Sequence, residues 1–255
     1  MIDFYYWPTP NGWKVAIMLE ECGLEYHLIP VNIGRGDQFK PEFLAISPNN
    51  RMPAIVDHDG DDGTVSVFES GAILIHLAER TGRFMPQSRR GRKEALEWLF
   101  WQVGNLGPMA GQLSHFVNYA QGEHPYSHKR YADEYNRCLG VLERRLEGRE
   151  YILDEYSIAD MASWPWVLIA KPLGQPLDEF PNVARWRETV KQRPAVQAGV
   201  DLGKELRRSA PPSDEERRIL FNQTDQDVLR RSGSLDPNSP SRRDDRASGE
   251  RHSNQ

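Results

Sequence analysis

Three short segments of this 255-residue chain carry residue types suited to capturing a small ligand. Arg51-Met52-Pro53-Ala54-Ile55 reads as a loop that enters a strand through an X-Pro bond. A cis isomer there would leave the main chain of Met52 free to pair with an extended ligand. Phe68-Glu69-Ser70-Gly71-Ala72-Ile73 sets an acid and a hydroxyl where Ile73, Leu74, Leu77 and Ala78 begin a helical pattern. A helix N-terminus offers N–H groups and partial positive charge to an anion, while Glu69 can hold an ammonium. Upstream, Thr9-Pro10-Asn11-Gly12 contributes a hydroxyl and an amide. Backbone pairing, carboxylate capture and amine capture together fit a small zwitterionic peptide.

The elements around these segments are legible from periodicity. Ile2–Trp7 reads as a strand, and Val15, Met18, Leu19 and Cys22 recur at helical spacing until Gly23. Tyr26–Val31 reads as a second strand, parallel to the first if the helix is a crossover. Phe39, Pro41 and Phe43 suggest one short helix. Ala54–Asp57 and Thr64–Phe68 flank a turn-rich segment and predict an antiparallel hairpin. A helix from Ser70 to about Thr81 completes β-α-β-α-β-β-α, a thioredoxin-like order. Long helical patterns follow over residues 91–120 and 127–147, with Trp98-Leu99-Phe100-Trp101 too apolar all round for a free surface helix. Ser157 and Asp160 form a helix-opening box before an apolar, central helix through Trp164-Pro165-Trp166. The expected fold class is an α/β thioredoxin-like N-terminal domain, residues 1–84, followed by an all-α domain, residues 91–203.

Seven Trp, nine Tyr and nine Phe are ample for a packed core, but Phe221 is the only one of them after Trp186. Residues 204–255 hold eleven Lys/Arg and ten Asp/Glu among serines and prolines. That composition predicts a disordered charged tail, in which Ile219-Leu220-Phe221 is the one patch fit to dock. A net charge of −5 argues against a nucleic-acid partner, and no run is long enough to span a membrane. Met1-Ile2-Asp3-Phe4 reads as strand rather than signal peptide, and Cys22 and Cys138 form no disulfide framework, so the expectation is a cytoplasmic protein. Both cysteines fall within helices and read as inert, and His76 reads as packed or surface-lying. Lys14 and Arg35 read as solvated cations close enough in sequence to assist an anionic peptide.

A thioredoxin-like domain, an all-helical domain and the Ser157-x-x-Asp160 box, in that order over about residues 1–200, resemble the soluble glutathione transferases. The runs Thr9–Lys14, Gly36–Phe39, Ile46–Asn50 and Trp98–Gln102 look like the bacterial nu class, relatives of the yeast nitrogen-regulator prion protein. The resemblance implies a homodimer that binds glutathione or its disulfide as co-substrate, uses no metal and reduces disulfide bonds. It assigns Thr9 and Asn11 to the glutathione sulfur, Gln38 and Arg51 to the glycine end, and Met52 to the cysteinyl main chain. Glu69 and Ser70 take the γ-glutamyl head, and Arg130 meets the second half of a disulfide ligand. Gln102 and Asn105 lie where a neighbouring subunit reaches the site. The tail has no counterpart in the family pattern.

A thiol of pKa about 8.5 is largely unreactive at neutral pH. One hydrogen bond to a charged acceptor contributes about 1.5–3 kcal/mol, equal to about one or two pKa units. The Thr9 hydroxyl, the Asn11 amide and the following helix end could together supply this, with a small disulfide as substrate. Two other outcomes suit the same residues: conjugation of glutathione to electrophiles, and glutathione binding without catalysis.

Overall fold

The computed structural model describes residues 1–60, 63–208 and 210–224. Four strands, β1 (Ile2–Tyr6), β2 (Tyr26–Pro30), β3 (Ala54–Gly60) and β4 (Gly63–Phe68), form one sheet in the order β2-β1-β3-β4. β1 and β2 are parallel, with Phe4 beside Leu28, while β3 pairs antiparallel with both β1 and β4. The crossover between β1 and β2 is α1 (Pro10–Cys22), which stops at Gly23 in the left-handed region, φ 64°. A short α2 (Pro41–Leu44) follows a single 3₁₀ turn, and α3 (Ser70–Thr81) closes the expected β-α-β-α-β-β-α order.

The all-helical part comprises α4 (Arg89–Trp101), α5 (Gly107–Asn118), α6 (Pro125–Arg145), α7 (Ile158–Leu168), α8 (Pro181–Lys191) and α9 (Pro194–Asp201). The pattern over 91–120 is therefore not one helix. A π-helical turn at Gln102–Leu106 separates α4 from α5, with the Gly107 N–H reaching back to the Gln102 carbonyl. Pro108 has no N–H to give the Gly104 carbonyl, so regular α-helical pairing fails just there.

One buried cluster runs through both halves, from Phe4 and Ile55 in the sheet, through Ile17 and Leu74, to Leu142 and Trp164. α1 is the shared layer: it packs on α3 at one side and on α7 and α9 at the other. Gly199 sets the spacing of α9, because a Cβ there would lie 2.8 Å from Ile17 Cα. The opposite sheet face holds a smaller cluster of Val31, Phe43, Met52 and Ala54.

The expected disordered tail is corrected over its first part. A tenth helix, α10 (Asp214–Phe221), opens with a capping box between Ser213 and Glu216, and its Phe221 ring packs on His115. The tail beyond residue 224 lies outside the described residues.

Asp160 fastens the start of α7. Its Oδ1 accepts from the Ile152 N–H at 2.9 Å and the Trp186 indole at 2.8 Å, and its Oδ2 from the Ser157 N–H at 3.0 Å. Burial pushes the carboxyl up to about 6 even so. Asp160→Asn keeps the shape but leaves one oxygen's donors without an acceptor. Denaturant unfolding at pH 7.5 should show a loss of about 1–3 kcal/mol.

Candidate functional site

Two adjoining compartments lie between the sheet domain and the helical one. The larger, about 700 Å³, is bordered by Thr9, Asn11, Gln38 and Met52 from the sheet side and by His115 and Trp166 from the helical side. The smaller, about 410 Å³, is bordered by Lys14, Glu69, Ser70, Gln102 and Val103. Asn11, Arg51, Gly111, Gln112 and Trp166 border both. Of the sequence-predicted residues, Thr9, Asn11, Gln38, Arg51, Met52, Glu69 and Ser70 from the sheet domain and Gln102 from the helical one line this cleft.

Thr9 is the N-cap of α1: its Oγ1 accepts from the Gly12 N–H at 3.4 Å and donates to Met52 Sδ at 3.5 Å. Met52-Pro53 is cis. Asn11 stands one residue into α1. The Trp166 indole N–H, a donor only, gives its hydrogen to Asn11 Oδ1 at 3.1 Å. That bond fixes the amide's orientation and leaves its N–H₂ as the free donor side. Gln38 is buried, with its amide donating to the Ile33 carbonyl at 3.2 Å and its Oε1 lacking a protein partner. Both amide atoms of Asn50, in the wall of the same compartment, are likewise unpaired. Such buried polar atoms are costly unless a ligand or water meets them.

The smaller compartment is built on strain and on a buried cation. Glu69 has φ 69°, a left-handed backbone that a non-glycine residue adopts at a cost of about 1–3 kcal/mol. Its carboxylate accepts from Asn49 Nδ2 at 3.1 Å. Lys14, read from sequence as solvated, is only 2 % exposed. Its ammonium donates to Gln102 Oε1 at 2.7 Å and to Ser70 Oγ at 3.4 Å. Desolvation brings the Lys14 pKa down to about 7, against the opposing pull of the Glu69 charge. A signal for this was present: Lys14 shares its helix face with Ile17 and Met18, which are fully buried. Gly107 admits the arrangement, since a Cβ there would lie 3.3 Å from the Trp166 indole nitrogen and would collide with the Gln102 amide.

Not every predicted residue reaches the cleft. Arg130 is exposed on α6 and pairs with Glu134 at 3.0 Å, one turn away. Asn105, within the π-helical turn, borders neither compartment. Gln102, expected where a neighbouring subunit reaches the site, borders the cleft of its own chain. Arg35 is exposed, as read. His76 bonds to the buried Asp57 at 2.9 Å, outside the cleft. The thiols of Cys22 and Cys138 are pushed upward by burial. Among the described residues no cluster of His, Cys, Asp and Glu is placed to hold a metal, and no helix is long and apolar enough to cross a membrane.

Comparison with known proteins matches this architecture. The glutathione S-transferase N-terminal domain family matches residues 9–80, and the glutathione S-transferase C-terminal domain family residues 113–194. The chain is 52% identical over 199 residues to disulfide-bond oxidoreductase YfcG of Escherichia coli (strain K12), covering 77% of this chain and 93% of that one. It is 40% identical to disulfide-bond oxidoreductase YghU of the same organism, covering 78% and 73%. A glutathione transferase from Burkholderia graminis, solved with two glutathione molecules per subunit, superposes with a TM-score of 0.75. It is 47% identical and covers 80% of this chain and 88% of its own. One from Pseudomonas putida, with one glutathione disulfide per subunit, gives 0.75 at 42% identity, covering 79% and 91%. The chain belongs to the glutathione transferase family.

The buried lysine makes stability depend on pH with a definite sign. An unfolded lysine keeps its proton to about 10.5, whereas folded Lys14 releases it above about 7. The unfolded chain therefore binds more protons in this window, and folding is favoured as pH rises. Stability should climb by about 2 kcal/mol between pH 7 and 9 from this group, and Lys14→Met should flatten the climb. Denaturant midpoints of both proteins across that range test it.

Proposed function

We propose that the chain is a glutathione-dependent disulfide-bond reductase in which Asn11 steadies the attacking thiolate. The observation that carries this reading is the Asn11 amide, oriented by Trp166 at the border of the two compartments. In the smaller one, Glu69 faces the γ-glutamyl ammonium, and Ser70 with the buried Lys14 faces its carboxylate. The Met52 main chain pairs with the cysteinyl unit, and Gln38 and Arg51 serve the glycine end. The larger compartment receives the disulfide. YfcG and YghU, named as disulfide-bond oxidoreductases, and the neighbours holding two glutathiones or one glutathione disulfide support the same reading.

A glutathione thiolate attacks one sulfur of R–S–S–R in line with the bond that breaks. The departing RS⁻ takes a proton from water and leaves a glutathione mixed disulfide. A second glutathione thiolate attacks the glutathione sulfur of that species, releasing the second thiol and glutathione disulfide. Two electrons pass from two glutathiones to the substrate, and no protein sulfur takes part. A cytoplasmic location, where glutathione keeps thiols reduced, suits the cycle. A homodimer suits it too, since Phe100 is 64% exposed and Phe68 38% in the single chain.

Asn11→Ala should lower kcat on a small dialkyl disulfide by about tenfold or more at saturating glutathione. Trp166→Phe, which frees the amide to flip, should cost about threefold with the fold retained. Unchanged turnover in both would remove Asn11 from the chemistry. An aryl halide assay separates conjugation from reduction, and a protein inactive in both would be a binder only.

Cys22→Ser combined with Cys138→Ser should keep most turnover. A folded but inactive double variant would show that a protein thiol enters the cycle.

A further inference from the structure

α10 lies beyond the residue at which the C-terminal domain match ends, yet it borders the cleft. Its contacts bridge both halves of the molecule. The Phe221 ring meets His115 edge-on, with centroids 4.7 Å apart, and Tyr119 at 5.1 Å. Arg217 donates to the Tyr119 carbonyl. On the sheet side, Ile219 sits against the loop at Gly36, where a Cβ would lie 3.7 Å from its Cγ2. Gln223 Oε1 accepts from Arg51 Nη1 at 3.1 Å, and Gln223 Nε2 donates to the Ile219 carbonyl at 2.8 Å. Leu220, Phe221, Asn222 and Gln223 therefore form one wall of the larger compartment.

We propose that Phe221 and Gln223 are specificity-determining residues, which narrow the larger compartment so that it takes slender disulfides and rejects bulky ones. The proposal rests on the disulfide reductase reading. Two kinds of contact hold the wall, and they yield differently. Gln223 gives Arg51 a neutral amide acceptor, and the glycine carboxylate of glutathione makes a hydrogen bond about twice as strong, so glutathione displaces Gln223 alone. A wide substituent meets Phe221, and admitting it means separating that ring from His115 and Tyr119 and the Arg217 guanidinium from its carbonyl. Small disulfides therefore enter with α10 in place, whereas bulky ones must lift it.

The test uses the full chain, as wild type, Phe221→Ala and Arg217→Ala. The second variant unhooks α10 through a residue that does not border the cleft, so it serves if the first fails to fold. Each is assayed with a two-carbon dialkyl disulfide and with a protein thiol disulfide-linked to glutathione. The ratio of kcat/KM values, bulky over small, should rise by about fivefold or more in both variants. A ratio unchanged from wild type overturns the proposal. Turnover of neither disulfide by any of the three proteins rejects the reductase reading instead. The wall is then judged by calorimetry with S-methylglutathione and S-naphthylmethylglutathione, where the affinity ratio should shift in the same direction. An unshifted affinity ratio again overturns it.

Discussion

The hydrogen bond from the Lys14 ammonium to Gln102 Oε1, 2.7 Å long and shielded from water, joins α1 to the π-helical turn that interrupts the helical domain. Ser70, at the start of α3, accepts from the same ammonium. One buried nitrogen thus ties together three of the elements that enclose the smaller compartment. Removing a lysine from water is unfavourable by several kcal/mol unless acceptors surround it. Its pKa near 7 records how incompletely those acceptors compensate. An anionic ligand group would complete the compensation. The same desolvation that weakens the junction by itself therefore strengthens its pull on a carboxylate.

Gln102 reaches this junction because the chain stops being an α-helix there. Its carbonyl takes the Gly107 N–H across a widened turn, and its side chain lies inward, fully buried. Gly107 and Gly111 keep the facing surface of α5 low enough for the Trp166 indole, which in turn reaches Asn11. The helical domain contributes more than a second wall to the cleft. Through Trp166 it sets which end of the Asn11 amide is presented, and through Gln102 it sets the position of Lys14, the only lysine among the described residues that borders either compartment.

The strands, α1 and α3 were legible because their periods are clean, and Gly23 and Gly82 mark the ends of the two helices. The π-helical turn was not, because Trp98 to Leu106 keeps an apolar rhythm straight through the place where hydrogen bonding changes. Glu69, Ser70, Met52 and Asn11 were legible through local chemistry, each beside a helix start or a cis-proline loop. Lys14 was misread because charge suggested solvent, although its helical phase already placed it with Ile17 and Met18. Trp166 was seen as core and not as a donor, since its partner lies 155 residues away. The wall formed by α10 was hidden by composition. Eight residues with three acids and two arginines look solvated, and only the spacing of Ile219, Leu220 and Phe221 hints at contact.

Sequence left Thr9 and Asn11 as equal candidates to face a thiolate, and the geometry separates them. The Thr9 hydroxyl has its one proton directed at Met52 Sδ and one lone pair at the Gly12 N–H. Turning that proton to a ligand would give up the thioether contact, while the oxygen goes on accepting from the Gly12 N–H. Asn11 bears no such conflict: Trp166 holds its acceptor, and its two donor hydrogens remain for the cleft. A charge-assisted bond from that amide is worth about 1.5–3 kcal/mol, enough to move a thiol pKa by about one or two units. That balance supports the proposal that Asn11 meets the sulfur, with Thr9 fixing the helix end from which it projects.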